Sequence, residues 1–339
     1  MSSNKNIPFD KENYNTGIAR RKTKNEFIYY YIKNNRKVGK TVMERIKKLG
    51  IPPAWIDVWV SADTESSIQV TGIDSKNRKQ YRYHQDHIKA ATQEKFLRLY
   101  DFIKAIPKLD KILKKHKKLS QYSFDRVIVS MLTLIKELHM RVGKECYAKT
   151  NKSYGVSSLK KTHVKIKGDE IHFKFKGKSN KNLSYVFEDD ILKKHIKSLL
   201  KLKGEKLFQF IDDDKKIKRV TDTDLNLYIQ EYMGDEFTCK DFRTYAANYY
   251  FVKSIIIETK KRKPINRKEI NKNILNAIEN TAHYLRHTQA ISKKSYITDY
   301  FVSLYKTNPK YFSSRKNKDT DTILLSLLRK YKKEIMTKH

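Results

Sequence analysis

The sequence predicts an α+β protein in which a small β-rich N-terminal domain precedes a larger, mainly helical domain that carries a small β-hairpin sheet. Two observations support this prediction. Bulky and polar residues alternate with a period of two over residues 55–60, 67–72 and 79–84, which is typical of short strands. From about residue 88 onward, most apolar residues recur at helical spacing instead.

The N-terminal part divides into two segments by composition. Residues 1–22 are polar and rich in Asn and Lys, so we expect a flexible arm there. Residues 23–88 would then form the β-rich domain, with turn-forming residues at positions 74–77 between two of its strands. Residues 89–339 would form the mainly helical domain, and two domains suit a chain of 339 residues.

The larger domain shows helical periodicity on both sides of a short β segment. Apolar residues recur at helical spacing over 96–106, 127–138 and 323–335. Residues 163–166, 171–176 and 183–187 read as strands joined by turns at 168–169 and 177–180. Within the second of these strands, Ile171, Phe173 and Phe175 share one face and the basic residues share the other.

The charge of the chain limits its possible partners. It contains 74 Lys+Arg against 37 Asp+Glu, a formal net charge of +37. Such an excess requires a polyanion or many counterions nearby, which argues against a metabolic enzyme that acts on small neutral molecules. With 39% hydrophobic and 12% aromatic residues the chain can still build cores. We therefore expect DNA or RNA as the partner, with an anionic membrane a distant second.

Targeting and cysteine signals add little. The polar start of the chain predicts no secretory signal, and the most apolar run, Val127–Ile135, is about half the length needed to span a bilayer. Cys146 and Cys239 are expected to be two reduced thiols of an intracellular protein rather than a disulfide, and no zinc ligand set can be built from them. We expect a soluble, intracellular protein.

Several residues bear chemistry, but each has an ordinary structural explanation when taken alone. Tyr296 is one of 22 tyrosines. His283 and His287 have helical metal-pair spacing, yet no third ligand follows and their neighbours are basic. Arg141 and Arg243 would by default form salt bridges, and Lys178, at a hairpin tip, would be a surface lysine.

Four motifs in one order change this interpretation. They are Arg141-Val-Gly-Lys-Glu-Cys-Tyr147, Phe175-Lys-Gly-Lys178, Lys240-Asp-Phe-Arg243-Thr-Tyr245 and His287-Thr-Gln-Ala-Ile-Ser-Lys-Lys-Ser-Tyr296. Together they resemble the catalytic set of type IB DNA topoisomerases, in the compact form found in poxviruses, other large DNA viruses and some bacteria. The resemblance covers about residues 25–335 and implies the fold that this family shares with tyrosine recombinases.

The resemblance implies a role for each catalytic residue. Tyr296 would be the nucleophile that forms a 3′-phosphotyrosine, and Lys178 the general acid that protonates the departing 5′ oxygen. Arg141, Arg243 and His287 would donate hydrogen bonds to the non-bridging phosphate oxygens. These residue types suit the reaction, because fixed guanidinium groups stabilise charge that develops on phosphate oxygens, and an alkoxide leaving group needs a proton.

The same resemblance implies the activity and its requirements. We expect relaxation of positive and negative supercoils without ATP, metal or any other cofactor, by a monomer that clamps duplex DNA between its two domains. The covalent intermediate stores the bond energy, and the sequence contains no Gly-x-x-x-x-Gly-Lys-[Ser/Thr] nucleotide-binding motif. The expected location is the virion or replication site of a large DNA virus, or a bacterial cytoplasm.

Further residues match DNA-contact positions of the family. Gln80, Tyr81 and Tyr83 interleave with cations on a predicted strand that could enter a major groove, which would make residues 23–88 a DNA-clamping domain. Three more matches surround the catalytic motifs: Lys144, Tyr147 and Lys240.

Two departures and two alternatives accompany this resemblance. The family commonly has Gly before the catalytic His and Pro two residues after it, where this chain has Arg286 and Gln289. A tyrosine site-specific recombinase would use related chemistry, but its central motif is usually His-x-x-Arg, where this chain has Lys240. A non-enzymatic DNA-packaging protein is compatible with the composition alone.

Overall fold

A computed structural model describes residues 14–24, 26–262, 264, 266–313 and 319–337. The chain divides into two compact units between Lys95 and Phe96, slightly later than the boundary expected after residue 88. The predicted α+β architecture is confirmed, since a small β-rich unit precedes a mostly helical one. No helix in the described ranges has the length and apolar character needed to span a bilayer.

The first unit is built on an antiparallel sheet with strand order β2-β1-β3-β4-β5. The strands are β1 (Ile18–Lys22), β2 (Phe27–Tyr31), β3 (Ile56–Val60), β4 (Ile68–Ile73) and β5 (Lys79–Tyr83), and helix α1 (Lys40–Lys48) lies between β2 and β3 in the chain. The last three strands were predicted from alternation and are confirmed. Apolar side chains from these strands and α1 form the core of the unit: Ile18, Tyr29, Ile46, Val58, Val60 and Val70.

The expected flexible arm is wrong for residues 18–22, which form β1, a strand paired with both β2 and β3. Residues 1–13 of that expected arm lie outside the described residues. Ile18 is buried, and the Arg20 guanidinium lies 4.3 Å from the centroid of the Phe27 ring while donating to the Pro52 carbonyl at 3.1 Å. Arg20 is thus held by an aromatic ring and a carbonyl of other segments. The basic composition of this segment therefore did not indicate a flexible chain.

Helix α2 (Gln85–His116) begins in the first unit and ends in the second, continuing through Pro107. The other helices of the second unit are α3 (Phe124–Glu137), α4 (Glu145–Asn151), α5 (Asp190–Lys201), α6 (Asp222–Met233), α7 (Cys239–Lys261), α8 (Arg267–Leu285), α9 (Gln289–Ser295), α10 (Asp299–Thr307), α11 (Lys310–Ser313) and α12 (Thr320–Met336). Helix α7 is buried along much of its length, and α8 packs beside it. The predicted stripe on the last helix is confirmed, because its first half buries four apolar residues: Ile323, Leu324, Leu327 and Leu328.

A three-stranded antiparallel sheet lies between these helices in the chain, with order β6 (Val164–Lys167), β7 (Glu170–Lys176) and β8 (Asn182–Glu188). A two-stranded ribbon, β9 (Gln209–Ile211) with β10 (Ile217–Arg219), follows it. The predicted alternation in β7 is confirmed, since Ile171, Phe173 and Phe175 are buried and Lys174 is exposed. This burial fixes the sheet against the helical core, so the turn between β7 and β8 is presented from a rigid base.

Candidate active site

The second unit contains a cavity of about 300 Å³ between the β7–β8 turn, the start of α7 and the segment that follows α8. Its lining includes four of the five predicted catalytic residues: Arg141, Lys178, His287 and Tyr296. Three further basic residues line it as well, namely Lys181, Lys240 and Arg286. No carboxylate is found among the lining residues that the structure describes, so the cavity is suited to an anion.

Tyr296 follows the end of α9, with its ring half-buried in the cavity. The ring centroids of Tyr296 and His287 are 5.0 Å apart, and the Arg243 guanidinium carbon lies 5.7 Å from the Tyr296 centroid. Burial pushes the pKa of the Tyr296 phenol upward, but the nearby cations, Arg243 foremost, outweigh it and bring that pKa below its usual value. The phenol therefore loses its proton more readily than an ordinary tyrosine does.

Arg243 lies behind the Tyr296 ring, on the buried face of α7. One of its terminal nitrogens donates to the His139 carbonyl and the other to the Leu285 carbonyl at 3.0 Å, so two distant segments fix the guanidinium. Its Nε is buried and has no hydrogen-bond partner within the described residues. Burial, reinforced by the charge of Arg141, lowers the Arg243 pKa from its usual value. A fixed guanidinium with a free N–H is suited to stabilise an anion.

His287 is buried at 8% exposure and is neutral near pH 7, because burial and the charge of Arg243 lower its pKa to about 4. Its Nδ1 lies 3.0 Å from the Ser292 hydroxyl oxygen. If that hydroxyl donates to Nδ1, the proton of the neutral ring is on Nε2. Nε2 is buried without a partner in the part of the chain that the structure describes. Neutral His287 is therefore able to donate one hydrogen bond.

Arg141 is positioned by a close crossing of two backbone segments. The Arg141 carbonyl accepts from the Val156 N–H at 2.9 Å, and the Val142 carbonyl accepts from the Ser157 N–H at 2.7 Å. Gly143 has a φ of +83° and packs directly on Gly155. A Cβ atom on Gly155 would lie 2.5 Å from the Arg141 carbonyl oxygen, closer than real Cβ contacts allow. Glycine at this crossing lets the Arg141 segment approach its partner.

Lys178 lies in the tight turn between β7 and β8, as the sequence predicted. The turn closes through a hydrogen bond from the Gly177 N–H to the Lys181 carbonyl at 2.8 Å. Two consecutive residues, Ser179 and Asn180, adopt left-handed conformations with φ values of +63° and +58°. This geometry places the exposed Lys178 and Lys181 together at the cavity.

Sequence reasoning missed Asn248, a fully buried residue on α7. Its side-chain amide donates to the Tyr296 carbonyl at 2.9 Å, and its side-chain oxygen accepts from the Thr298 N–H at 3.0 Å. It therefore holds the backbone at the predicted nucleophile and two residues after it. Asn248 belongs to none of the four motifs. Ser292, which contacts His287, stands within the last motif, but the resemblance gave it no role.

At the two departures from the family pattern, the local backbone has the conformation that suits the residues common in the family. Arg286 ends α8 with a φ of +52°, a left-handed conformation in which glycine is the least strained residue. Gln289 is the first residue of α9, after the cap residue Thr288. A proline is well tolerated at that position because its missing N–H has no helical partner, and glutamine is tolerated equally.

The predicted DNA contacts fall into two groups. Gln80, Tyr81 and Tyr83 lie on β5 of the first unit, where the two tyrosines are exposed and their rings stack with centroids 5.9 Å apart. The Gln80 amide donates to the Asp74 carboxylate at 2.9 Å, which orients it. In the second unit, Lys144 precedes α4 and Tyr147 is an exposed residue on it. Lys240 is exposed at the start of α7 and lines the cavity.

Comparisons with known proteins identify the family. The family model described as the catalytic core of eukaryotic DNA topoisomerase I matches residues 77–321, and the model of the bacterial DNA topoisomerase IB N-terminal domain matches residues 26–74. DNA topoisomerase 1B of Acanthamoeba polyphaga mimivirus is 51% identical over 334 residues, covering 97% of this chain and 99% of that protein. DNA topoisomerase I of monkeypox virus and DNA topoisomerase 1B of vaccinia virus (strain Copenhagen) are each 29% identical over 276 residues, covering 78% of this chain and 82% of each relative.

The matches decide among the three classes that the sequence left open. The catalytic-core model extends over most of the second unit and includes all five predicted catalytic residues. The second model lies within the first unit, where a recombinase would instead need a helical domain. The chain is therefore an enzyme that belongs to the type IB DNA topoisomerase family.

Proposed function

We propose that this enzyme relaxes positively and negatively supercoiled duplex DNA by cutting one strand and rejoining it, with Tyr296 as the nucleophile. The observation that carries the proposal is the phenol of Tyr296, which lies in a cavity whose charged lining is basic and whose cations lower the phenol pKa. A phenol in such a place is suited to attack a phosphate held beside it.

The cleavage step exchanges one phosphodiester for another. The Tyr296 oxygen forms a bond to phosphorus after losing its proton to solvent, and the bond between phosphorus and the 5′ oxygen breaks. Lys178, exposed at the cavity, gives a proton to that oxygen, which departs as a 5′-hydroxyl. Rejoining is the reverse: Lys178 takes the proton back as the 5′ oxygen attacks the 3′-phosphotyrosine. The number of phosphate ester bonds is unchanged throughout.

Negative charge builds on the non-bridging oxygens during each step. Arg243 is already fixed by two carbonyls and keeps a free Nε, and His287 keeps a free Nε2. Arg141, positioned by its backbone crossing, completes the set of donors. Because these groups are ordered before the substrate binds, little reorganisation opposes the reaction.

This chemistry requires neither ATP nor a metal ion as a participant. The phosphotyrosine keeps the energy of the broken bond, so strand rotation and rejoining need no external energy source. The guanidinium groups supply the positive charge that a metal would otherwise provide. Relaxation then depends only on how long the 5′-hydroxyl strand stays free to rotate.

DNA binding extends beyond the catalytic cavity in this proposal. The stacked tyrosines of β5, Tyr81 and Tyr83, with the oriented Gln80, would contact a DNA groove, while Lys144 and Tyr147 contact the backbone near Arg141. We propose a monomer that clamps a duplex between its two domains. The relatives come from giant viruses and poxviruses, so we place its activity in the virion or at the replication site of a large DNA virus.

Relaxation of a supercoiled plasmid in EDTA, without ATP, tests the proposal. Wild type should relax both positive and negative supercoils, and Tyr296→Phe should relax neither. The matched control is Tyr300→Phe, which loses a phenol that donates to Glu334 at 2.8 Å and should remain active. Full activity of Tyr296→Phe would show that the nucleophile is misassigned. Strand exchange between paired sites without relaxation would indicate a recombinase, and DNA binding alone would indicate a packaging protein.

The general-acid role has its own test. Lys178→Ala should slow single-turnover cleavage by about 100-fold or more, as expected for a lost proton donor. A substrate with a 5′-bridging sulfur, whose thiolate leaves without a proton, should recover most of that loss. Lys181→Ala removes a neighbouring cation from the same turn and should show no such recovery. If sulfur substitution fails to rescue Lys178→Ala, Lys178 is not the acid.

A further inference from the structure

Arg286 contributes a cation to the cavity that none of the assigned roles uses. It ends α8 in a left-handed conformation, immediately before His287, and its side chain is exposed on the cavity lining. Its guanidinium carbon lies 4.2 Å from the centroid of the Tyr185 ring. Within the described part of the chain its side chain forms no salt bridge and donates to no protein acceptor.

Stacking on Tyr185 orders this guanidinium without using its hydrogen-bond donors. A guanidinium that lies over a ring keeps its N–H groups directed outward in its own plane, the arrangement that recognises phosphate. Tyr185 is 4% exposed and pairs with Phe173 across the β7–β8 ladder, so the stacking partner is part of the buried sheet. Arg286 is therefore a prepared anion-binding group rather than a loose surface charge.

The location of the Arg286 guanidinium indicates which DNA phosphate it binds. Tyr185 belongs to β8, the strand that follows the turn carrying Lys178. In the proposed mechanism Lys178 protonates the departing 5′ oxygen, so this side of the cavity faces the 5′-hydroxyl strand. The scissile phosphate already has donors from Arg141, Arg243 and His287, which leaves Arg286 available for the neighbouring phosphate.

We propose that Arg286 binds the first phosphate of the 5′-hydroxyl strand, adjacent to the scissile phosphate, and so retains that strand for rejoining. The inference rests on the proposed function, because it requires a cleaved intermediate with a separate 5′-hydroxyl strand. The inference predicts different effects on the two directions of the reaction. Loss of the contact should slow rejoining more than cleavage and let the strand rotate through more turns in each cleavage event.

The test combines protein variants with substrates that lack one backbone charge. Single methylphosphonates are placed in turn at the phosphates around the cleavage site, and single-turnover cleavage and rejoining rates are measured. Arg286→Gly is the main variant, because glycine suits the backbone conformation at this position and the protein should fold. Arg286→Lys keeps the charge without the planar donors. Lys268→Ala, which removes an exposed cation from the other end of α8, is the matched control.

On unmodified DNA, Arg286→Gly should slow rejoining about tenfold, the usual effect of losing one charge-assisted hydrogen bond, with cleavage changed by less. Wild type should suffer a similar loss when the first phosphate of the 5′-hydroxyl strand is neutralised, and Arg286→Gly should lose nothing further there. Arg286→Lys should recover only part of the rate, and Lys268→Ala should behave as wild type. Tyr185→Phe should also match wild type, because the ring is kept.

Each other result overturns the inference. If the losses of rejoining rate from Arg286→Gly and from neutralising that phosphate are additive, Arg286 does not contact it. Non-additivity at the scissile phosphate alone would place Arg286 among the groups that stabilise the transition state. These failures are distinct from failure of the proposed function, in which wild type would form no Tyr296 adduct on any substrate.

Discussion

At the scale of single residues, the position of the proposed nucleophile, Tyr296, depends on one buried amide. Asn248 contacts the Tyr296 carbonyl and the Thr298 N–H, and its amide also donates to the Thr244 carbonyl at 2.8 Å. Because Asn248 and Arg243 lie on the same helix, α7 sets the distance between the nucleophile and the guanidinium behind it. The segment that carries Tyr296 is thus anchored before any substrate arrives.

We expect Asn248→Ala to slow single-turnover cleavage by about 10- to 100-fold, since a displacement of about 1 Å at a reacting group has effects of this size. The variant should retain its DNA affinity, because Asn248 contacts no surface. Cleavage rates and binding measured on the same duplex test this separation.

Asn273→Ala is the control for loss of a buried amide. Asn273 is also fully buried, but it bonds to the Tyr305 hydroxyl at 2.9 Å, away from the cavity. Both variants should lose stability by about 1–3 kcal/mol, but only the change at Asn248 should slow cleavage. An equal loss of cleavage rate in both would reduce Asn248 to a purely structural residue.

The sequence predicts the residues proposed to react but not those that position them. Tyr296, Lys178, Arg141 and His287 stand in motifs because their chemistry fixes residue type and order, and the structure brings them to one cavity. Asn248 acts on backbone atoms 48 and 50 positions away. Any segment can offer a carbonyl and an N–H, so such a contact leaves no local pattern in the sequence.

At the scale of secondary-structure elements, the segment after α3 and the segment before β6 cross at two glycines. Gly143 and Gly155 approach so closely that a Cβ on either would lie within 2.7 Å of the backbone of the other segment. The Ser157 hydroxyl adds a hydrogen bond to the Gly143 carbonyl at 2.9 Å. The crossing converts the end of α3 into a fixed support for Arg141.

We expect Gly155→Ala to destabilise the protein by about 1–3 kcal/mol, because the new methyl group overlaps backbone that cannot rotate away. The displaced Arg141 should also slow cleavage by at least tenfold. Thermal unfolding and single-turnover cleavage measure the two effects. Gly39→Ala is the control, since a Cβ there meets no atom within 4 Å. If Gly155→Ala cleaves DNA at the wild-type rate, the crossing does not position Arg141.

Elements with strong periodicity were predictable, and those stabilised by distant contacts were not. The β6–β7–β8 sheet and α12 follow from two-residue and helical repeats, because one face of each is buried. The strand β1 was missed because only Ile18 and Ala19 of its five residues are apolar, while its arginines are held by rings and carbonyls elsewhere. The pattern of apolar residues in a segment indicates which of them are buried. It gives no sign of an arginine that stacks on a ring of another segment.

At the scale of the whole molecule, burial inside the second unit, reinforced by buried arginines, keeps three histidines neutral. His139, His195 and His287 each have a pKa lowered to about 4, first by burial and then by an arginine: Arg243 for His139 and His287, and Arg126 for His195. His195 is an example, because both of its ring nitrogens form hydrogen bonds inside the protein, one with the Ser130 hydroxyl and one with the Gln121 carbonyl, each at 2.6 Å. In the folded protein each of these rings keeps a single proton, and the second proton of the charged form is unfavourable.

These histidines should make the second unit acid-labile. In the unfolded chain a histidine has a pKa of about 6.5, so between pH 6.5 and 4 the unfolded state binds more protons and stability falls as the pH is lowered. The loss from pH 7 to pH 5 should be on the order of 1–2 kcal/mol per histidine. Carboxylates such as Asp74, whose pKa is lowered to about 2, affect stability separately, below pH 4.

Thermal unfolding measured from pH 7 to pH 5 should show the decline in stability. His195→Gln should make it shallower, whereas the same change at exposed His283 should not, and a melting temperature constant from pH 7 to 5 would refute the argument.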